Sequence, residues 1–113
     1  MIISELSARS GVSPRLLRYY EEQGLVTATR AANGYRQYDE SAVVNARIVR
    51  TMFQMGFSQE KVRSVLACAA AEAVEADHDA AREQVAAMRD DIDRQMEKLA
   101  ATREILTEFL ERG

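Results

Sequence analysis

From the neighbourhood of Asp77 and Asp79 to Arg112 neither glycine nor proline interrupts the chain, and apolar side chains recur on a heptad spacing. Val85, Met88, Ile92, Leu99, Leu106 and Phe109 occupy the a and d positions, with Gln95 and Thr102 as polar exceptions. Roughly 35 helical residues would span about 50 Å, more than the core of so small a chain can cover. Each apolar seam side chain left in water forfeits on the order of 1.5 to 3 kcal/mol. The pattern therefore predicts a long C-terminal helix whose seam, through those six residues, meets a partner chain as a dimer interface.

What precedes that helix must form the globular part. With 113 residues, 47% of them hydrophobic, there is material for one compact unit and one extended element. Five glycines and one proline are too few for the turns of a sandwich or barrel, so the expected fold is mostly α. We expect a head over residues 1–71 and the seam helix over residues 72–113. The single cysteine, Cys68, excludes an intramolecular disulfide, and the first five residues lack the charged start and apolar run of a secretory signal. No apolar stretch approaches the roughly 20 residues that cross a bilayer. A cytoplasmic setting is expected, without membrane association.

The formal net charge of −3 hides an asymmetry. Residues 1–63 carry nine Lys or Arg against six Asp or Glu, and residues 64–113 carry six against twelve. A mildly basic head joined to an acidic tail remains compatible with nucleic acid, because phosphate binding depends on the local field.

Helix starts are marked by an apolar residue followed by Ser or Asp: Ile3-Ser4, Val12-Ser13, Tyr38-Asp39 and Phe57-Ser58. Each such cap contributes roughly 1 kcal/mol. Pro14 falls at a first helical position, and Gly11, Gly24 and Gly56 where helices should stop. The predicted elements are a helix over Glu5–Ser10, a tight turn, and a second helix over Pro14–Gln23, which together make a helix-turn-helix. Asn33-Gly34 lies between Val26–Thr29 and Tyr35–Tyr38 and signals a two-stranded wing. A third helix over Glu40–Met55 should bury Val44, Ile48, Val49 and Met52. A fourth, after Ser58, should bury Val62, Val65, Leu66 and Ala69. Asp77 and Asp79 are candidate caps for the last helix.

On the second helix Arg15, Arg18 and Tyr19 share one face, whereas Leu16, Leu17 and Tyr20 turn to the other. Guanidinium groups pair bidentately with guanine edges or phosphate, and a tyrosine hydroxyl suits phosphate. The wing adds Arg30, Tyr35, Arg36 and Tyr38, basic and aromatic residues interleaved. Taken alone, the helix face reads as solvated surface; beside a capped partner helix and a basic wing it reads as a DNA-binding face. One of Tyr35 and Tyr38 is expected to pack the hairpin onto the third helix instead.

The run from Ser13 to Val26, SPRLLRYYEEQGLV, resembles the signature of the MerR family of transcription regulators. Asn33–Asp39 resembles that family's wing and Met55–Ser58 its junction between the third and fourth helices. The resemblance implies a winged helix-turn-helix head and an antiparallel coiled-coil homodimer. It also implies binding to a palindromic promoter spacer, distorted to control transcription near RNA polymerase and gated by an effector. It places Arg15, Arg18 and Tyr19 on the recognition helix and Tyr35, Arg36 and Tyr38 on the wing as DNA-contacting residues. Metal-sensing members of the family carry cysteines around the dimer helix and drug-sensing members a large C-terminal domain. Neither pattern is present in this sequence, so no metal and no cofactor is expected. A small-molecule effector would have to fit between helices or at the dimer interface.

Other features have simpler readings. Cys68 is read as a small buried side chain ahead of a thiol sensor. Asp77, His78 and Asp79 lack metal-ligand spacing, and Asp90, Asp91 and Asp93 beside Arg89 and Arg94 read as a solvated helix face. No Ser-His-Asp set, phosphate loop or Cys-His pair supports an enzyme. The competing functions are an architectural DNA-binding or recombination accessory protein, and a coiled-coil interaction module.

Overall fold

The computed structural model describes the backbone of residues 1–70 and 75–113 and the side chains of residues 1–70 and 79–113. Helix α1 spans Ile3–Ser10 and α2 spans Pro14–Glu22. Gly11 ends α1 at φ +74°, a left-handed conformation that costs glycine nothing, and its N–H donates to the Ser7 carbonyl at 2.9 Å. Ser13 then starts α2 as predicted, its Oγ accepting the Leu16 N–H at 3.2 Å with Pro14 in the first turn. Val12, between them, is fully buried, and its carbonyl accepts the Ser7 hydroxyl at 2.7 Å. Both the apolar and the polar half of this residue thus hold the turn.

The Ser4 cap does not form. Helix α1 begins at Ile3 after Ile2, with no side-chain cap. The reason is tertiary: the Tyr38 N–H donates to the Met1 carbonyl at 2.7 Å, and the Met1 amino group to the Tyr38 carbonyl at 2.6 Å. This pairing lays the first residues along the exit of the wing and launches the helix earlier than the local signal.

The wing consists of β1, Thr29–Arg30, antiparallel to β2, Arg36–Gln37, with Arg30 opposite Arg36. Asn33-Gly34 sits in its turn, Gly34 at φ +84°. The first strand starts later than expected because Leu25 and Val26 are both buried. Two consecutive inward side chains are incompatible with strand alternation.

Helix α3 spans Glu40–Gln54 and α4 spans Gln59–Ala69, started by Asp39 and Ser58 side chains that accept backbone N–H groups at 3.0 and 3.3 Å. The buried face of α3 is Ala42, Val43, Ala46 and Val49. Val44, expected inside, is 54% exposed, and Ile48 and Met52 are only half-buried. The helix is rotated so that its small alanines face inward, where α1 packs against it. On α4 only Val62 is buried; Val65 and Leu66 are half-buried and Ala69 is exposed. Leu6, Val12, Leu17, Tyr20, Leu25, Val26, Tyr38 and Val49 complete one core shared by α1 to α4.

Helix α5 spans Glu75–Arg112, 38 residues or roughly 57 Å. Asp77 and Asp79 therefore lie within it and are not its caps, and the expected boundary between residues 71 and 72 falls outside the described residues, as does the His78 side chain. Its first turns pack back on α4, where the Ser64 hydroxyl bonds the Gln84 side chain. Two of the expected seam residues are already covered within the single chain: Met88 is buried and Val85 half-buried, on the side that packs against α4. From Arg89 onward every residue is exposed, Leu99 at 68% and Phe109 at 71%. Among the described residues no helix is long and apolar enough to cross a membrane.

Candidate nucleic-acid interface

Helix α2 divides as its spacing predicts, with one exception. Leu17 and Tyr20 enter the core, the Tyr20 ring tilted against Phe53 with centroids 6.0 Å apart. Burial pushes the Tyr20 phenol above its ordinary pKa and keeps it neutral. Arg15, Arg18 and Tyr19 are exposed on the opposite face. Leu16, assigned to the core from its neighbours, is exposed as well. Among the described residues Arg15 and Arg18 form no ion pair, which leaves both guanidinium groups available.

The other arginines of the head sort by what they hold. Arg47 donates to the Arg9 carbonyl at 2.5 Å and Arg50 to the Gly11 carbonyl at 3.2 Å, so α3 grips the end of α1. Arg63 donates to the Gln23 carbonyl and so ties α4 to the end of α2. These cations satisfy carbonyls that helix ends leave open, and they complement the negative pole of each helix dipole. Arg9 pairs with Glu40 at 2.5 Å, which raises the guanidinium pKa and lowers that of the carboxyl. Arg15 and Arg18 remain without such a partner, and the wing arginines Arg30 and Arg36, though each has one, stay exposed.

Arg18, Arg30, Arg36 and Tyr35 line one open hollow between α2, the start of α1 and the wing, with Ile2 and Ile3 as its apolar side. Tyr35 stands 71% exposed at the wing tip. The Arg30 guanidinium donates to the Gly34 carbonyl at 3.1 Å and is held along the hairpin. Tyr38 departs from the expected set. It is 4% exposed, its ring lies in the core, and its hydroxyl donates to Glu21 Oε1 at 2.7 Å. Burial first, and the Glu21 carboxylate second, push its pKa up to about 12. Tyr38 therefore supports the wing from behind, and only a narrow edge of it reaches the hollow. Arg15, a turn before Arg18 on α2, and Tyr19, next to it, do not line the hollow.

Sequence reasoning missed Glu21, which joins α2 to the wing: besides Tyr38 it meets Arg36, Oε2 to Nη1 at 3.3 Å. Arg36 in β2 and Tyr38 just beyond it are two residues apart, the spacing that places side chains on one side of an extended chain, a pattern that could have pointed to a common acidic partner. Among the described residues no group of three His, Cys, Asp or Glu side chains converges, and Cys68 is half-buried on α4.

A sequence profile of the MerR HTH family regulatory proteins matches residues 1–68, the region that builds this interface and its supports. The chain belongs to the MerR family. Among MerR-type relatives it is similar to the HTH-type transcriptional regulator HmrR of Sinorhizobium medicae (strain WSM419), with 43% identity over 68 residues, 59% of this chain and 46% of that protein. The matches thus span about half the length of the curated relatives. The whole fold is similar to that of the transcription regulator PbrR691 from Ralstonia metallidurans CH34, crystallised in complex with lead(II), with TM-score 0.59 and 21% identity over 96% of this chain and 84% of that one. It is also similar to HiNmlR, a MerR family regulator lacking the sensor domain and bound to promoter DNA, with TM-score 0.56 and 14% identity over 86% of this chain and 78% of that one. At these identities the two structures establish the MerR fold.

Proposed function

We propose that this MerR-family chain is a transcription regulator that binds a palindromic promoter spacer as a homodimer and distorts it near RNA polymerase, under the control of a small-molecule effector. The observation that carries the reading is the convergence of Arg18, Arg30, Arg36 and Tyr35 on one hollow between α2 and the wing. Two elements presenting cations and an aromatic ring at a single concave surface suit a duplex backbone beside an inserted helix. Arg15, Arg18 and Tyr19 read or position from α2; Tyr35 and Arg36 hold the backbone from the wing. Residues 1–71 serve as the DNA-binding head and 72–113 as the dimerisation helix. HmrR is named as a transcriptional regulator and HiNmlR was crystallised on promoter DNA, both in keeping with this reading.

Ile92, Leu99, Leu106 and Phe109, exposed in the single chain, supply the dimer seam. Val85 and Met88, already covered by α4, brace it from behind. An antiparallel pair of α5 helices holds two heads several tens of ångströms apart, on the scale of the roughly 34 Å helical repeat of DNA. Bending or untwisting the spacer costs a few kcal/mol, within reach of effector binding. An effector site suits the open groove between the α3–α4 turn and α5, lined by Met55, Phe57, Lys61, Met88, Ile92 and Met96, because it joins head to seam.

A footprint across the promoter upstream of the chain's own gene, at moderate salt with nonspecific competitor, tests the reading. Protection of a palindromic spacer between promoter elements is expected; absence of protection there counts against it.

A further inference from the structure

Glu21 is an acidic group behind the surface proposed to bind a polyanion, lining the neighbouring hollow that shares Arg30 and Arg36 with it, and its placement explains why it is there. Its side chain is 17% exposed, held in the last turn of α2, and its two oxygens are divided between Arg36 in β2 and Tyr38 just beyond it. Oε1 takes the Tyr38 hydroxyl at 2.7 Å and Oε2 stands 3.3 Å from Arg36 Nη1. Tyr38 is buried in the core, whereas the Arg36 side chain is 54% exposed and keeps its outer edge open. The wing itself has only two-residue strands, too short to hold their own angle against α2. A carboxylate tied at one end to a buried phenol and at the other to a wing guanidinium supplies that angle.

We infer that Glu21 is a specificity-determining positioning residue: it fixes Arg36 against the recognition helix and masks half of its charge until a duplex phosphate shares it. The inference rests on the DNA-binding reading above. Masking lowers affinity for any phosphate backbone, while the fixed angle admits only a duplex whose backbone passes where both α2 and the wing can reach it. Selectivity follows from the difference. The same pair would be stabilising alone only weakly, since its cation is half in water.

The test uses duplexes selected by the wild-type chain from a random library, against an unselected duplex of equal length. Glu21→Gln keeps an oxygen for Tyr38 and removes the charge. Its affinity for the unselected duplex should rise several-fold, with a salt dependence steeper by about one unit, the slope expected for roughly one additional phosphate contact. The ratio of selected to unselected affinity should fall about tenfold. In an Arg36→Ala background, Glu21→Gln should leave affinity for the unselected duplex unchanged; an equal rise in both backgrounds means bulk charge alone and overturns the inference. Should Glu21→Gln melt below the assay temperature, Tyr38→Phe removes only the anchoring hydroxyl. It should lower the ratio without raising unselected binding, and an unchanged ratio overturns the inference. A wild-type chain that selects no duplex overturns the DNA-binding reading itself, and this inference with it.

Discussion

The guanidinium of Arg50 on α3 donates to the carbonyl of Gly11 at 3.2 Å, so the helix that forms the floor of the core holds the turn of the helix-turn-helix directly. That carbonyl lies at the end of α1, where the backbone leaves acceptors without helical partners. Together with Arg47 on the Arg9 carbonyl, the contact sets the angle between α1 and α2 from outside both. Arg50→Ala is expected to lower stability by about 1 kcal/mol, the contribution of a partly hydrated charge-assisted hydrogen bond. Urea denaturation should show a lower midpoint with an unchanged slope; an unchanged midpoint would remove Arg50 from the structural set.

Arg18 has the opposite character: exposed, unpaired among the described residues, and on the hollow shared with the wing. Arg18→Ala should reduce duplex affinity about tenfold or more while leaving the melting temperature within a degree or two, as surface substitutions do. A filter-binding titration with unchanged affinity would count against this face of α2.

Leu99 is 68% exposed in the single chain and sits midway along the apolar seam. Leu99→Asp should leave the head folded and convert the proposed dimer to monomer, because a carboxylate buried in a seam lacks a partner. Sedimentation of an intact dimer by that variant would relocate the seam.

Tyr38 makes stability sensitive to alkali. Its folded pKa is raised to about 12, above the ordinary value of 10.0, so the neutral phenol is the form the fold prefers. The contribution is fully present below about pH 10 and is lost as pH rises toward 12. Tyr38→Phe should make the loss of thermal stability across that window shallower, the remainder belonging in part to Tyr20, and a variant profile as steep as the wild type would refute the assignment. At the acid end, Asp39 is held below its usual range, chiefly by the Ser41 hydroxyl, and Glu40 by Arg9. Their contributions exist above the ordinary carboxyl range and are lost as pH falls through it.

Much of the head was legible because helix ends are decided locally. Ser13, Asp39 and Ser58 bond N–H groups two or three residues ahead, Gly11 and Gly34 adopt positive φ within their own turns, and the two arginines and Tyr19 of α2 share a face through helical geometry. Ser4 failed for a reason no local rule contains: the pairing of Met1 with Tyr38, 37 residues away, starts α1 before it. The inward turn of Met88 is of the same kind, since α4 covers a heptad position that reads as seam when α5 is considered alone.

The amino-acid sequence by itself determined the order of the elements, the capped starts of α2, α3 and α4, the basic face of α2, the hairpin at Asn33-Gly34 and the apolar heptad stripe of α5. These follow from interactions within a few residues or from strict periodicity. The tertiary structure decided which aromatic of the wing points inward, which face of α3 meets α1, and that Glu21 joins α2 to Arg36 and Tyr38. A strand or helix period states that two faces exist. Which face is buried depends on the neighbour laid against it, and that neighbour is supplied by the rest of the chain.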